Sequence, residues 1–536
     1  MNVFSDHLLV APIILPLAAA GLMLLLEQRP LRVALSFIAV VALMLISLTL
    51  LFAVSTPGSE AYVYSIGDWP APFGIVLVLD RLSALMVAVT SVLALAALVF
   101  SLARWDRAGP RFHALFLLLL TGLNGAFLTG DLFNLFVFFE VLLAASYGLA
   151  LHGSGAARVK AGLHYIAVNL GASALFLLGV SVIYGVTGTL NMADLAQRIP
   201  YIVGAERTLF EVGCAVLGVA FLIKAGSWPL GFWLPPTYSA ASAPAAAMFA
   251  IMTKVGVYAI VRATFLFFEP MNGDATSGAG LVLLLAGGFT LAMSAIGMLA
   301  ARTFSRIVGF SILISSGAVL AVLGAGGERA LSGAFYYMIS STFAAAAFFL
   351  LIELLNRARG TTAPAEAPPV FADEYRDPYD DGPPTDEVGV IIPVAIALIS
   401  GGFIVCALLL AGLPPLSGFV GKMAMMMGLA EQPAAPGWII IALLAISSFT
   451  AIVALLRIGI DTVWASGEER VVPRVRGVEF TAIAGLLFAS IVLTTHGGAV
   501  LRYTDDTVAW LQRPHEYISA VLHRAPAPAA RKEAAR

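Results

Sequence analysis

Lysine is scarce in this 536-residue chain and oddly placed. Against 25 arginines there are five lysines, Lys160, Lys224, Lys254, Lys422 and Lys532, and three of them (Lys224, Lys254 and Lys422) lie inside long apolar runs. An ionisable group at membrane depth costs roughly 2.5–3.5 kcal/mol on insertion scales, so such groups usually face a partner or a wet cavity and mark a path. One carboxylate shares this setting. In GDLFNLFVFFEVLLAASYGLAL, Asp131 marks a helix start and Glu140 follows nine residues later, about 13 Å down the axis at 1.5 Å per residue. A desolvated ammonium releases its proton more readily, and a nearby carboxylate makes it hold on. Forming and breaking a Glu–Lys pair can therefore load and release a proton. Arginine cannot do this at any accessible pH. Glu140, Lys224, Lys254 and Lys422 are thus candidate stations for proton transfer. His164, near the start of its own run, is a possible inlet or, equally, an interfacial histidine bonded to a carbonyl. Blander readings exist for each group: lysines that snorkel to an interface, or a protonated Glu140 holding two helices together by a hydrogen bond. Glu353, close to a helix end, reads as either functional or solvated, and Asp80-Arg81 as a local ion pair at a helix entrance.

The residues around two of the lysines must shape the backbone. FLIKAGSWPLGFWLPP surrounds Lys224 and LLLAGLPPLSGFVGK precedes and includes Lys422, so Ala225-Gly226-x-x-Pro229-Leu230 recurs 186 residues later as Ala411-Gly412-x-x-Pro415-Leu416. Gly226, Pro229, Gly412, Pro414 and Pro415 in mid-span free backbone groups that protein or water must satisfy, so both helices are expected to break where they line a cavity. Five spans separate the two copies, and an odd number inverts the second copy relative to the first, the plan of an inverted-repeat transporter.

Composition sets the class. With 60% apolar and 12% charged residues, the chain departs far from the roughly 45–50% and about 25% of a soluble domain. Fourteen stretches are long enough to span a bilayer, near residues 7–26, 32–55, 75–102, 112–129, 131–151, 161–186, 207–234, 240–267, 279–300, 303–325, 330–356, 388–429, 437–465 and 478–497. The expected fold is an all-α, polytopic membrane protein of about fourteen transmembrane helices with two inverted five-helix repeats and broken helices 7 and 12. Its parts would be an N-terminal three-helix segment (1–111), a first repeat (112–268), a second repeat (279–466) containing an acidic, Pro-rich linker (357–387), and a last helix with a tail (467–536). Asp6 and His7 stand where a signal peptide would be basic, so the first run reads as a retained helix. Arg29, Arg32, Arg104, Arg107, Arg111, Arg158, Lys160, Arg302 and Arg306 fall on alternate loops, which places those loops in the cytoplasm and the N-terminus outside. The tail beyond residue 498 carries six basic residues yet lies outside by parity. A net charge of -2 gives no basic excess for nucleic acid, and Cys214 and Cys406 sit singly in apolar runs, which excludes a disulfide scaffold or a cysteine metal centre. No cofactor is expected. Hard cations want several oxygen ligands, and one deep carboxylate suits protons better than a metal site.

At these residues the chain resembles the D subunit of the multisubunit Mrp (also called Mnh or Pha) monovalent cation/proton antiporters. The similarity spans about residues 75–465 and is most specific in TGDLFNLFVFFEVLLAASYGL, with support from FLIKAGSWPLGFWLPPTYSAASAPAAAMFAIMTKVGVYAIVR and LAGLPPLSGFVGK. That family is similar in turn to the antiporter-like subunits of respiratory complex I. The resemblance implies that Glu140 is the carboxylate of the fifth helix, Lys224 its partner on the seventh, Lys254 the central lysine of the eighth and Lys422 the terminal lysine of the twelfth. It also implies a bacterial inner-membrane hetero-oligomer with partners of the A, B, C, E, F and G type, exchanging protons for Na+ or K+ without covalent chemistry. The rival from the same superfamily is a proton-pumping subunit of a redox complex such as NADH:quinone oxidoreductase or a membrane-bound hydrogenase. A membrane scaffold whose lysines bind lipid headgroups is the reading from another class.

Overall fold

The computed structural model describes residues 7–56, 61–69, 73–109, 111–268, 278–358, 394–431, 435–460 and 475–522. Apolar runs in lipid must satisfy every backbone group internally, and helices do so. The chain opens with α1 (Ala11–Met23) and α2 (Arg29–Ser55), a hairpin of β1 (Tyr62–Ser65) and β2 (Val76–Leu79), then α3 (Arg81–Ser101), α4 (Phe112–Leu128), α5 (Leu132–Ala150) and α6 (Ala156–Thr187). It continues through α7 (Met192–Arg198), α8 (Gly204–Lys224), α9 (Leu234–Ala240), α10 (Ala243–Phe267), α11 (Gly278–Ala300), α12 (Phe304–Ala325) and α13 (Glu328–Ala358). It closes with α14 (Val394–Ala411), α15 (Ser417–Ala430), α16 (Ala435–Gly459), α17 (Gly477–Thr495), α18 (Gly497–Leu511) and α19 (Pro514–Leu522). Among the described residues, eleven helices are long and apolar enough to cross a membrane, and α1 and α4 are apolar but shorter. The chain is a multi-pass, helical membrane protein. Most of the acidic stretch 357–387, and the tail beyond 522, lie outside the described residues.

Burial sorts the helices. The most apolar windows of α10, α12 and α13 are 100%, 94% and 94% buried, against 33% for α2. These three form a central axis shielded from lipid by the protein itself, while α2, α6, α11 and α16 keep one broad face outward for lipid or other subunits.

Two expectations are corrected. The run beginning at residue 75 is not helical throughout: Val76–Leu79 pairs with Tyr62–Ser65 as an antiparallel hairpin, and the helix starts only at Arg81. The reason is local. The Asp80 carboxylate accepts from the Ser83 N–H while the Ser83 hydroxyl accepts from the Asp80 N–H, a reciprocal cap that fixes the start. Nor is Asp80 paired with its neighbour. It forms a buried ion pair with Arg262 at 2.5 Å, and Arg81 faces Asp506 at 3.4 Å.

The two ends of α3 orient the molecule. At one end Arg104 meets Glu353 (3.5 Å), Arg357 bridges Glu353 (3.1 Å) and Glu479 (2.7 Å), and Arg29 meets Asp106 (2.7 Å). Glu353 is therefore held in a charge network at a helix end. At the other end, about 30 Å away at 1.5 Å per residue, the Tyr503 hydroxyl of α18 donates to the Arg81 carbonyl at 2.7 Å. The first part of the basic tail thus folds as α18 and α19 over the end opposite the arginine-rich loops.

Asp106, in the loop before α4, is buried beside His113 and pairs with the partly exposed Arg29. Burial alone would raise its carboxyl, but the hydrogen bond (2.8 Å) and charge of Arg29, with His113 3.8 Å away, hold it below the ordinary range. A depressed carboxyl contributes stability that is present above its unfolded value and is lost as pH falls through the folded one. The attachment of α2 to this loop should accordingly weaken on acidification. Thermal unfolding of the purified complex followed from neutral to acid pH checks this, and Asp106→Asn should flatten the dependence.

Candidate functional site

Both helix breaks end in the same local geometry. In the first, α8 stops at Lys224, Gly226 takes a left-handed φ of 71°, its N–H donates to Ile223 O at 3.1 Å and the Ser227 N–H donates to Leu222 O at 2.9 Å. In the second, Gly412 has φ 73°, its N–H donates to Leu409 O at 3.3 Å and the Leu413 N–H donates to Leu408 O at 3.0 Å. Each is a Schellman motif, which needs glycine because the left-handed region penalises a Cβ. The recurrence at a spacing of 186 residues thus extends from sequence to hydrogen bonds. Pro229 and the Pro414-Pro415 pair follow each turn, where the chain leaves the helix and has no N–H to lose. Thr290 of α11 ties down the first break: its hydroxyl accepts from the Trp228 N–H at 2.9 Å and bonds the Ser227 hydroxyl at 3.0 Å. A Cβ on Gly226 would sit 2.7 Å from a Leu313 methyl, and one on Gly412 would sit 2.9 Å from the Lys422 chain. Gly226→Ala and Gly412→Ala should each destabilise by at least about 1–2 kcal/mol from the left-handed penalty alone, read as a lowered melting temperature of the purified complex.

The charged residues take their places around these breaks. Lys224 occupies the last turn of α8, is 8% exposed and sets its ammonium 5.4 Å from the centre of the Phe139 ring. The adjacent residue, Glu140 of α5, is half-buried, and its carboxylate accepts a short hydrogen bond from the Ser173 hydroxyl of α6. Glu140 and Lys224 are not in ion-pair contact. The expected Glu–Lys pair is open in this structure, with the Phe139 ring beside the ammonium.

Lys254, 1% exposed on the central helix α10, is satisfied entirely by neutral oxygens of α12: Ser315 Oγ at 3.0 Å, Ser316 Oγ at 3.2 Å and Ile312 O at 3.4 Å. Three donors meet three acceptors and no carboxylate is present. Ser315 in turn bonds Ser341 of α13 at 2.6 Å, and the neighbouring Ser340 bonds Ser417 at the start of α15 at 2.7 Å. Lys422, 3% exposed on that same α15, donates to Ser448 of α16 at 2.7 Å and to the Ala411 carbonyl at 3.4 Å, with the Tyr337 ring 5.5 Å away. That carbonyl belongs to the C-terminal end of α14, whose dipole favours a cation. Lys224 and Lys422 lie on opposite sides of their breaks in sequence, yet both associate with the carboxyl end of the first half-helix.

The structure sets Glu140 on α5 and Lys224 on α8 either side of the Phe139 ring, and between Lys254 and Lys422 it places two separate hydroxyl pairs, Ser315–Ser341 and Ser340–Ser417. Ser173, Ser315, Ser316, Ser340, Ser341, Ser417, Ser448 and Thr290 are polar members that inspection of charged residues does not single out. His164 does not join them. It is exposed on the outward side of α6, with Nδ1 2.9 Å from the Lys160 carbonyl one turn back. Among the described residues, no three His, Cys, Asp or Glu side chains cluster as metal ligands.

Comparison with known proteins agrees with this architecture. Residues 129–368 match the family described as NADH:quinone oxidoreductase/Mrp antiporter, transmembrane. The chain is 51% identical to the D subunit of a probable K(+)/H(+) antiporter of Rhizobium meliloti (strain 1021), over 97% of this chain and 98% of that protein. It is 33% identical to the D subunit of a Na(+)/H(+) antiporter of Alkalihalophilus pseudofirmus, over 96% and 99%. Among solved structures, a chain of the Mrp complex from Dietzia sp. DQ12-45-1b superposes with a TM-score of 0.82 at 26% identity, covering 97% of this chain and all of that one. Similar from end to end to such proteins, the chain belongs to the D-type family of monovalent cation/proton antiporter subunits.

Proposed function

We propose that this chain is the proton-translocating subunit of a secondary antiporter, moving protons along Glu140, Lys224, Lys254 and Lys422 in exchange for Na+ or K+. The observation that carries the reading is the burial of Lys254 and Lys422, whose ammoniums are bonded only to hydroxyls and carbonyls, with an aromatic ring beside Lys422. A permanently charged lysine kept for stability would be expected to have a counter-ion, because a buried unpaired charge is costly. A lysine that gives up its proton for part of a cycle needs neutral acceptors instead. The Ser315–Ser341 and Ser340–Ser417 bonds supply hydroxyls that both donate and accept, as a proton relay requires. Glu140, half-buried at the edge, sits where a proton could arrive from a neighbouring subunit.

The recurring break supports dividing the chain into a three-helix start (1–111), two five-helix units (112–268 and 279–466) and a final helix with its tail (467–536). Counting α1, α4, α8 and each broken pair as spans gives fourteen. By the charge rule the Arg104 end of α3 faces the cytoplasm. The exposed apolar faces of α6 and α11 suit membrane partners of the kind found in Mrp assemblies.

The deciding experiment uses vesicles holding the complete antiporter under an imposed pH gradient, with Na+, K+ and Li+ added in turn and no NADH or quinone present. Cation-dependent proton exchange is expected. Exchange that appears only with an electron donor would favour the redox-coupled reading.

A further inference from the structure

Helix α10 carries Arg262 eight residues beyond Lys254, about 12 Å along the axis at 1.5 Å per residue. None of the groups around Arg262 belongs to the line just described, yet they are as deeply enclosed. Arg262 is 4% exposed and pairs with Asp80, 2% exposed, at 2.5 Å. Its Nη2 donates to the Tyr258 hydroxyl at 3.0 Å, and that hydroxyl donates to the Phe127 carbonyl at 2.6 Å. Over the guanidinium lies the Tyr517 ring of α19, 5.3 Å away and itself 2% exposed. The roof is fastened by Tyr503 to the Arg81 carbonyl and by Thr504 to Ser332 of α13 at 2.8 Å.

Beneath this pair lies a cavity of about 10 Å³ lined by Leu135, Phe221, Tyr258 and Arg262 among others. Phe221 is three residues before Lys224, so the space reaches from the guanidinium to the turn of helix that carries the lysine. It has about the volume one water needs, but its walls are largely apolar, and an apolar constriction interrupts a water chain by staying dry. A buried ion pair contributes little net stability compared with well-packed apolar residues, so stability alone does not account for this one. Arginine cannot pass a proton on, and its fixed charge repels cations arriving from the α19 face.

We propose that the Asp80–Arg262 pair, roofed by Tyr517 of the C-terminal helix, is a closed gate between the Lys224 region and the membrane face that carries α18 and α19. Opening would move Arg262 aside and let water enter the cavity under it. The inference rests on the proton-line reading for its purpose but not for its test.

The test uses the complete antiporter in proteoliposomes, with Ala259→Cys at the cavity wall in a Cys214→Ser/Cys406→Ser background and a membrane-impermeant maleimide applied to either face. With the roof intact, the new thiol should be protected. Tyr517→Ala removes one desolvated cation–π contact and should speed labelling from the α19 face by roughly tenfold; Tyr517→Phe keeps the ring and should restore protection. Equal labelling with and without Tyr517→Ala overturns the gate. So does labelling of that variant from both faces alike, which marks unfolding. Labelling needs no cation exchange. A complex that fails to exchange but labels as expected would sink the antiport reading and leave the gate standing.

Discussion

Lys254→Arg is expected to abolish cation-dependent proton exchange in an antiporter that still assembles. The substitution keeps the positive charge and leaves three neutral acceptors on α12, Ser315, Ser316 and Ile312 O, for its N–H groups. What it removes is titration, because a guanidinium stays protonated at every accessible pH. Removing one proton-transfer group typically costs 10²–10⁴-fold in rate, so exchange should fall by at least about a hundredfold. Co-purification of the partner subunits reports assembly, and proton flux in vesicles reports exchange. Normal flux in the variant would show that Lys254 is a fixed charge and not a station.

The second large effect is expected at Glu140. Glu140→Gln preserves side-chain volume and an acceptor for the Ser173 hydroxyl, so packing between α5 and α6 should survive. It deletes the titratable carboxyl. Without a group that can take up and release a proton at this position, exchange should again fall about a hundredfold. A scaffold whose lysines bind lipid headgroups predicts the opposite pattern: transport intact in Glu140→Gln and in Lys224→Ala, with assembly impaired. Measuring flux and subunit content on the same preparations separates the two.

The charged part of this site is legible in the sequence because lysine, glutamate, glycine and proline are conspicuous in apolar runs. The burial of Lys224, Lys254 and Lys422 and the two breaks follow from residue type and position alone. The hydroxyl series is not legible. Serine is tolerated throughout membrane helices by bonding its own backbone one turn back, as Ser311 does to Val308 O at 2.7 Å. Nothing in sequence separates it from Ser315, which faces Lys254. The open Glu140–Lys224 pair depends on how Phe139 and Ser173 pack between helices, and Asp80 meets Arg262 across a tertiary contact that neighbouring residues do not announce. The 62–79 hairpin is hidden because the VLVL of β2 is as apolar as the helix it precedes. His164 reads as an inlet by position along α6, but its angular position turns it outward.

Proton transfer along this path requires side chains within the membrane to change protonation during exchange. Infrared difference spectroscopy of the reconstituted complex, triggered by a Na+ or K+ pulse, tests it at Glu140. A carboxylic-acid C=O band that rises or falls during turnover and is absent in Glu140→Gln is expected. Steady exchange with no such band, or the same band in Glu140→Gln, would contradict it.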